Sequence, residues 1–211
     1  MKKTIIFVLF IVFVSFIFGA YFYDKMPEQM ASHWNFKGEV DGYMPRFLGL
    51  FLMPIVSLFM FGLFIFLPKI DPMKKNFEKF RKYYDGFILA IIGFLFYVYL
   101  LSLYANLGFE FNMSKMMIPA LGVLFYYMGI MVKNAKRNWF VGIRTPWTLS
   151  SDKVWDKTHQ KAGALFKLLG IIVVLSLFFE EYTMHFVLWP ALALVVYLFV
   201  YSYVEYKKEK K

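Results

Sequence analysis

Residues 4–23 read TIIFVLFIVFVSFIFGAYFY, an apolar run with no charged side chain between Thr4 and Tyr23. An α-helix rises about 1.5 Å per residue, so about 20 such residues cross a hydrocarbon core about 30 Å thick. In that medium a segment must satisfy its own backbone hydrogen bonds, which selects helix. The run is longer than the apolar region of about 7–15 residues in a secretory signal, and Tyr21, Phe22 and Tyr23 are unlike the small residues of a cleavage site. It reads as a retained membrane helix.

Five further runs share this character: Phe47–Leu67 (which carries Pro54), Gly86–Leu107, Met116–Val132, Ala162–Phe179 and Met184–Val204. Lys167 alone places a Lys, Arg, Asp or Glu inside a span, and its long stem can carry the ammonium to the nearby interface. The 211-residue chain is 60% hydrophobic and 22% aromatic, with 27 Phe, which excludes an ordinary soluble domain. The fold class is therefore all-α integral membrane protein: a six-helix transmembrane bundle, residues 1–211 forming a single membrane domain.

Charge orients the bundle. The formal net charge is +10, and 20 of the 24 Lys and Arg fall on the side of the N-terminus if six spans are threaded. The other side receives Lys25, Lys37, Arg46 and Lys115. Positive residues are retained in the cytoplasm during insertion, so both termini are expected there. The inner lysines also attract anionic headgroups, each worth about 1 kcal/mol. The lipid bilayer thus accounts for the basic composition without direct nucleic-acid binding. Cysteine is absent, which removes disulfides and thiolate chemistry.

Two polar segments remain, Asp24–Arg46 outside and Lys133–Lys161 inside. Each is below the about 40 residues at which a core supports an independent fold, so each is expected to fold back on the helices. In the outer segment Pro27, Gly38, Asp41-Gly42 and Pro45 predict a compact, turn-rich structure. His33, Trp34 and Asn35 stand at its centre, with Asp41 further on. His33 and Asp41 are placed either to share a proton or help hold a metal, or to pin turns while Trp34 and Tyr43 sit at headgroup level. A single histidine among scattered carboxylates does not specify a metal site, and no cofactor is indicated.

The inner segment divides at Pro146. Trp139–Ile143 is aromatic and β-branched, which favours extended backbone, and Pro146 keeps Thr145 out of the α region. Beyond it Thr148, Ser150 or Ser151 can cap a helix that has Asp152 in its first turn and runs into the fifth span. On that helix Trp155 and His159 share a face, as do Asp152 and Asp156. Arg144 is expected to meet Asp152 or Asp156 through a bidentate pair that fastens the loop, or else to form with the tryptophans a docking surface for a partner or an anionic group.

The span interiors bear on function. They offer mainly Ser15, Ser57, Ser102, Asn106 and Ser176, whereas ion-coupled carriers place ionisable groups near the midplane. A transporter or permease is the alternative this composition weakens. A membrane enzyme would have to rely on His33 and Asp41, with His185 and Glu180 or Glu181, all expected outside.

Asn138, then Gly142-Ile143-Arg144-Thr145-Pro146-Trp147-Thr148-Leu149, then Val154-Trp155 and Thr158-His159, resemble the signature of the SdpI family of bacterial membrane immunity proteins. Pro27, His33, Trp34, Asn35, Gly38, Asp41, Gly42 and Tyr43 resemble the short membrane domain of unknown function that often precedes it. The resemblances span residues 1–67 and 116–204. They imply protection against an exported antimicrobial peptide toxin, and with no Cys and only three His the chain is not expected to be an enzyme. They imply too that some relatives are receptors, signalling toxin occupancy to a cytosolic repressor. No chemical role comes with the motif residues, which stand as ligand-binding or partner-binding candidates.

Overall fold

A computed structural model describes residues 2–179 and 182–210; Met1, Glu180, Glu181 and Lys211, including the two glutamates of the enzyme alternative, lie outside the described residues. Among the described residues, six helices are long and apolar enough to cross a membrane. They are α1 (Lys2–Phe22), α2 (Arg46–Ile70), α3 (Lys74–Asn106), α4 (Met113–Asn134), α6 (Asp152–Leu175) and α7 (Thr183–Glu209), with a short α5 (Pro146–Ser150) before α6. The six-helix reading holds, with boundaries shifted. The largest shift is in α3, which starts at Lys74 instead of Gly86. The added turns are charged, so span counting passes over them, yet Phe77, Phe80, Tyr84 and Ile88 recur at helical spacing and are all buried.

The segment Asp24–Arg46 departs from expectation. Instead of a cluster of turns it forms an antiparallel hairpin, β1 (Gln29–Trp34) and β2 (Val40–Pro45), with Ala31 opposite Tyr43 and His33 opposite Gly42. Asp41-Gly42 lies within a strand, because the reversal is made upstream by Asn35–Glu39. Asn35 Oδ1 accepts from the N–H groups of Lys37 (2.9 Å) and Glu39 (3.1 Å), and Gly38 takes φ +83°. One Asx side chain thus replaces the backbone partners a turn leaves open.

The chain packs as two compact units, Met1–Phe64 with Ile88–Ala120 and Ile65–Phe87 with Leu121–Lys211. In the first, Met26, Met30, Leu50, Tyr99 and Leu103 form a buried cluster under Phe18, Phe22, Phe51, Met53 and Phe96. The Tyr99 hydroxyl donates to the Ser15 carbonyl at 3.1 Å, which pairs α3 with α1 and satisfies the polar end of a buried ring.

In the second unit α4 and α6 touch backbone to backbone. A Cβ on Gly170 would stand 2.5 Å from the Gly122 oxygen, and one on Gly129 2.7 Å from the Gly163 oxygen. The pairs lie two turns apart on antiparallel helices. Within a bilayer, apolar burial cannot drive helix association, and small residues of this kind admit the close van der Waals contact that does. The stem of Lys167 lies against Gly129.

Candidate functional sites in the two connecting segments

The hairpin is fastened by side chains of its own unit, at the end of α3 and the start of α4. At β1, Ala31 N–H donates to Asn106 Oδ1 (2.7 Å) and Asn106 Nδ2 donates to the Ala31 carbonyl (3.0 Å). The amide of Asn106 therefore pairs with Ala31 as a neighbouring strand's peptide would. At the tip, Asn112 Nδ2 donates to the Lys37 carbonyl (2.7 Å) and Ser114 Oγ to the Asn35 carbonyl (3.3 Å). Asn106 counted in the sequence only as a polar residue inside a span, and Asn112 carried no signal. Their role depends on where α3 ends and α4 begins.

His33 and Asp41 do meet, Nδ1 to Oδ1 at 2.5 Å, with side chains 72% and 44% exposed. Gly42 leaves room for His33, whose Cβ would be 2.9 Å from a Cβ at that position. Asn35 Nδ2 reaches Glu39 Oε2 at 2.8 Å, while Trp34 is half-buried opposite Val40. Among the described residues no group of three or more His, Asp or Glu is placed to hold a metal. The hairpin thus offers an exposed imidazole–carboxylate pair able to hold or pass a proton or to accept a polar ligand.

The segment Lys133–Lys161 is built oppositely. Asn138, fully buried, donates from Nδ2 to the carbonyls of Lys136 and Val141 (2.8 Å each), and its Oδ1 accepts from the N–H groups of Phe140 (2.9 Å) and Val141 (2.6 Å). The backbone winds around this amide, so Trp139–Ile143 forms no strand, contrary to its propensities. Asp71 is equally buried and accepts from Met73 N–H (2.6 Å) and Trp139 N–H (2.9 Å).

Gly142 has φ +113°, and a Cβ there would collide with His159 Nε2. The His159 ring is stacked on Trp155 at 3.9 Å. Its Nε2 accepts from Ile143 N–H (3.0 Å) and its Nδ1 faces the Trp155 carbonyl (2.8 Å). One nitrogen accepts and the other must donate, which defines a neutral imidazole with the proton on Nδ1. Trp155 Nε1 in turn donates to the Ala135 carbonyl at 2.9 Å.

Thr145, in extended conformation before Pro146, caps α5 reciprocally with Thr148. Its hydroxyl also donates to Ser202 Oγ at 3.0 Å, and Thr148 Oγ1 donates to the Ile143 carbonyl at 2.7 Å. Trp147 packs between Phe199 and Tyr203 of α7, ring centroids 4.9 and 5.0 Å away. Of the predicted caps, Ser151 opens α6 by accepting from Val154 N–H.

The carboxylate partner expected for Arg144 is not found. Asp152 pairs with Arg137 (2.8 Å) and Asp156 with Lys136 (3.3 Å), while Arg144 Nη1 donates to the Trp139 carbonyl at 2.7 Å. The cause is the helical start at Ser151, which turns both aspartates to the face where Arg137 and Lys136 stand. Arg144 and Trp139 remain exposed beside the closed network.

Three of the polar groups within the spans serve packing. Ser15 Oγ donates to the Ile11 carbonyl (2.8 Å), Ser176 Oγ to the Val173 carbonyl (2.6 Å), and Asn106 holds the hairpin. No carrier site is built from these three residues. His185 has the Tyr182 ring as a neighbour, 6.2 Å between centroids.

Comparison with known proteins adds to this geometry. Residues 10–58 match a family model described as a domain of unknown function, DUF1648. Residues 134–204 match that of the SdpI/YfhL protein family. A curated protein of Bacillus subtilis (strain 168), named immunity protein SdpI, is 29% identical over 209 residues, 99% of this chain and 98% of the other. No solved structure gives a significant match.

Proposed function

The chain carries an SdpI/YfhL-family region behind a DUF1648 region, and on that premise we propose that it is an immunity protein of the cell membrane, protecting the cell from an exported antimicrobial peptide. The observation that carries the reading is the end-to-end extent of the likeness: the aligned part includes both connecting segments and all six helices, not the signature alone.

In this reading the hairpin with His33 and Asp41 faces the exterior and meets the peptide. The segment from Asn138 to His159 faces the cytoplasm, where Arg144 and Trp139 present a charged and an aromatic group to a cytosolic repressor. Signalling between them requires two arrangements of the helices that differ in affinity for the peptide.

The test is survival. Expression in a peptide-sensitive bacterium should raise the lethal concentration of an exported membrane-active peptide, and unchanged killing by a panel of such peptides at verified membrane expression refutes the immunity reading. Reporter fusions at positions 37 and 144 should place the two segments on opposite sides of the membrane; same-side signals would remove the basis for signalling.

A further inference from the structure

The hairpin has two edges, and they are treated differently. An antiparallel ladder alternates between pairs that exchange both peptide hydrogen bonds and pairs whose N–H and C=O groups point away from each other. Pro45, opposite Gln29, lacks an N–H and suits the second kind of position. Arg46 N–H donates to the Glu28 carbonyl at 2.9 Å, which fixes the phase. Met30 and Met44 are then a bonded pair, while Ala31 and Tyr43 both turn their peptide groups outward.

On the β1 side those groups are taken up by Asn106. On the β2 side the N–H and C=O of Tyr43 have no protein partner among the described residues. Tyr43 is 66% exposed, with Phe36 (72%) and Val40 (39%) nearby. An open strand edge of this kind is a template for another strand, and proteins ordinarily cover or charge it. One edge is closed by a dedicated side chain and the other is left open.

We propose that the outer edge of β2 docks an extended cationic peptide, which joins the hairpin as a third strand opposite Tyr43. Main-chain bonds would supply the binding and the flanking side chains the selectivity. The charge indicates the occupant: β2 carries Asp41 and no cation, and Glu39 immediately precedes it, while Lys37 and Arg46 stand beyond its two ends. A second copy is the poorer fit. Two-fold pairing about Tyr43 would set Asp41 opposite proline 45 of the other chain, which cannot donate. A separate peptide can shift register toward Val40 and avoid that gap. That the natural occupant is a toxin rests on the immunity reading; the edge itself does not.

The experiment uses the full chain in phosphatidylcholine nanodiscs, a zwitterionic bilayer that does not attract cations. The probe is fluorescent acetyl-Lys-Val-Lys-Val-Lys-Val-Lys-amide with a carbon-13 carbonyl at its centre, and the comparison is the same peptide with Glu in place of Lys. The cationic probe should bind at least about tenfold more tightly than the acidic one, its labelled carbonyl moving to the infrared frequency of a β-sheet. Tyr43→Pro removes the outward N–H and should weaken binding about tenfold or more, while Tyr43→Phe leaves it within about twofold.

If Tyr43→Pro loses helical circular dichroism, two probes N-methylated on alternate residues replace it. One set of methyl groups blocks the ladder and the other points away, so their affinities must differ. Equal affinity of those probes, equal affinity of cationic and acidic peptides, or undiminished binding to a folded Tyr43→Pro protein overturns the proposal. A nanodisc dimer that Tyr43→Pro dissolves would also overturn it, in favour of a second copy. Binding is read without cells, so failure of the survival test leaves this result standing.

Discussion

The hairpin 29–45 and the segment 138–159 are both rich in His, Trp, Asn and Asp, yet they handle their polar groups in contrary ways. In the second, Asn138, Thr148, Thr158 and His159 are buried, and Asn138, Thr148 and His159 are joined through backbone bonds. In the first, His33 and Asp41 bond to each other and remain in contact with solvent, while anchoring falls to Asn106 and Asn112. A distinctive sequence motif therefore marks a scaffold in one place and an available surface in the other. Burying a polar group is costly unless it is paired, so the buried motif is specified by its own fold and the exposed one is free to serve a ligand.

This contrast is broken most directly at Asn138. Asn138→Leu leaves two backbone N–H groups and two carbonyls without the partners that the buried amide supplies, and should cost about 3 kcal/mol or more, read as loss of folded protein on thermal denaturation in detergent. Gly142→Ala should cost about 2–3 kcal/mol, from the φ of +113° and the collision with His159; a melting point equal to that of the parent would show that the segment yields easily. Asn106→Leu uncovers Ala31 and should cost about 1–3 kcal/mol, with hydrogen exchange accelerating in the hairpin before the helices.

Arg144→Lys, which keeps the charge and loses the planar fork, should change stability by less than about 1 kcal/mol, because its one bond is to a carbonyl at the surface. Lost protection in cells at unchanged stability would place Arg144 in recognition; lost stability would return it to packing. Smallest of all, His33→Ala and Asp41→Asn should shift stability by no more than about 0.5 kcal/mol, since exposed pairs contribute little, while survival on peptide challenge should fall. A large loss of folded protein from either would make the pair structural and erase the contrast.

Much of the fold was legible because hydrocarbon leaves few options: an apolar run of sufficient length must be helix, and six runs gave six helices among the described residues. The start of α3 was missed because its inner face carries Phe77, Phe80 and Tyr84 among lysines, a pattern visible in periodicity but not in mean hydropathy. The hairpin was missed because Asp41-Gly42 looks like a turn, while the turn that forms depends on the Asn35 side chain folding onto its own backbone.

Local rules therefore decided what could be decided locally: the spans, the Ser151 cap, the extended Thr145 before Pro146, and the shared face of Trp155 and His159. Partners distant in sequence were decided only by the tertiary structure. Arg144 met a carbonyl because the turn of α6 had already given Asp152 and Asp156 to Arg137 and Lys136. Asn106 closed a strand edge because α3 happens to end beside Ala31. A hydrogen bond needs its two atoms within about 3 Å, and only packing brings residues so far apart along the chain to that distance.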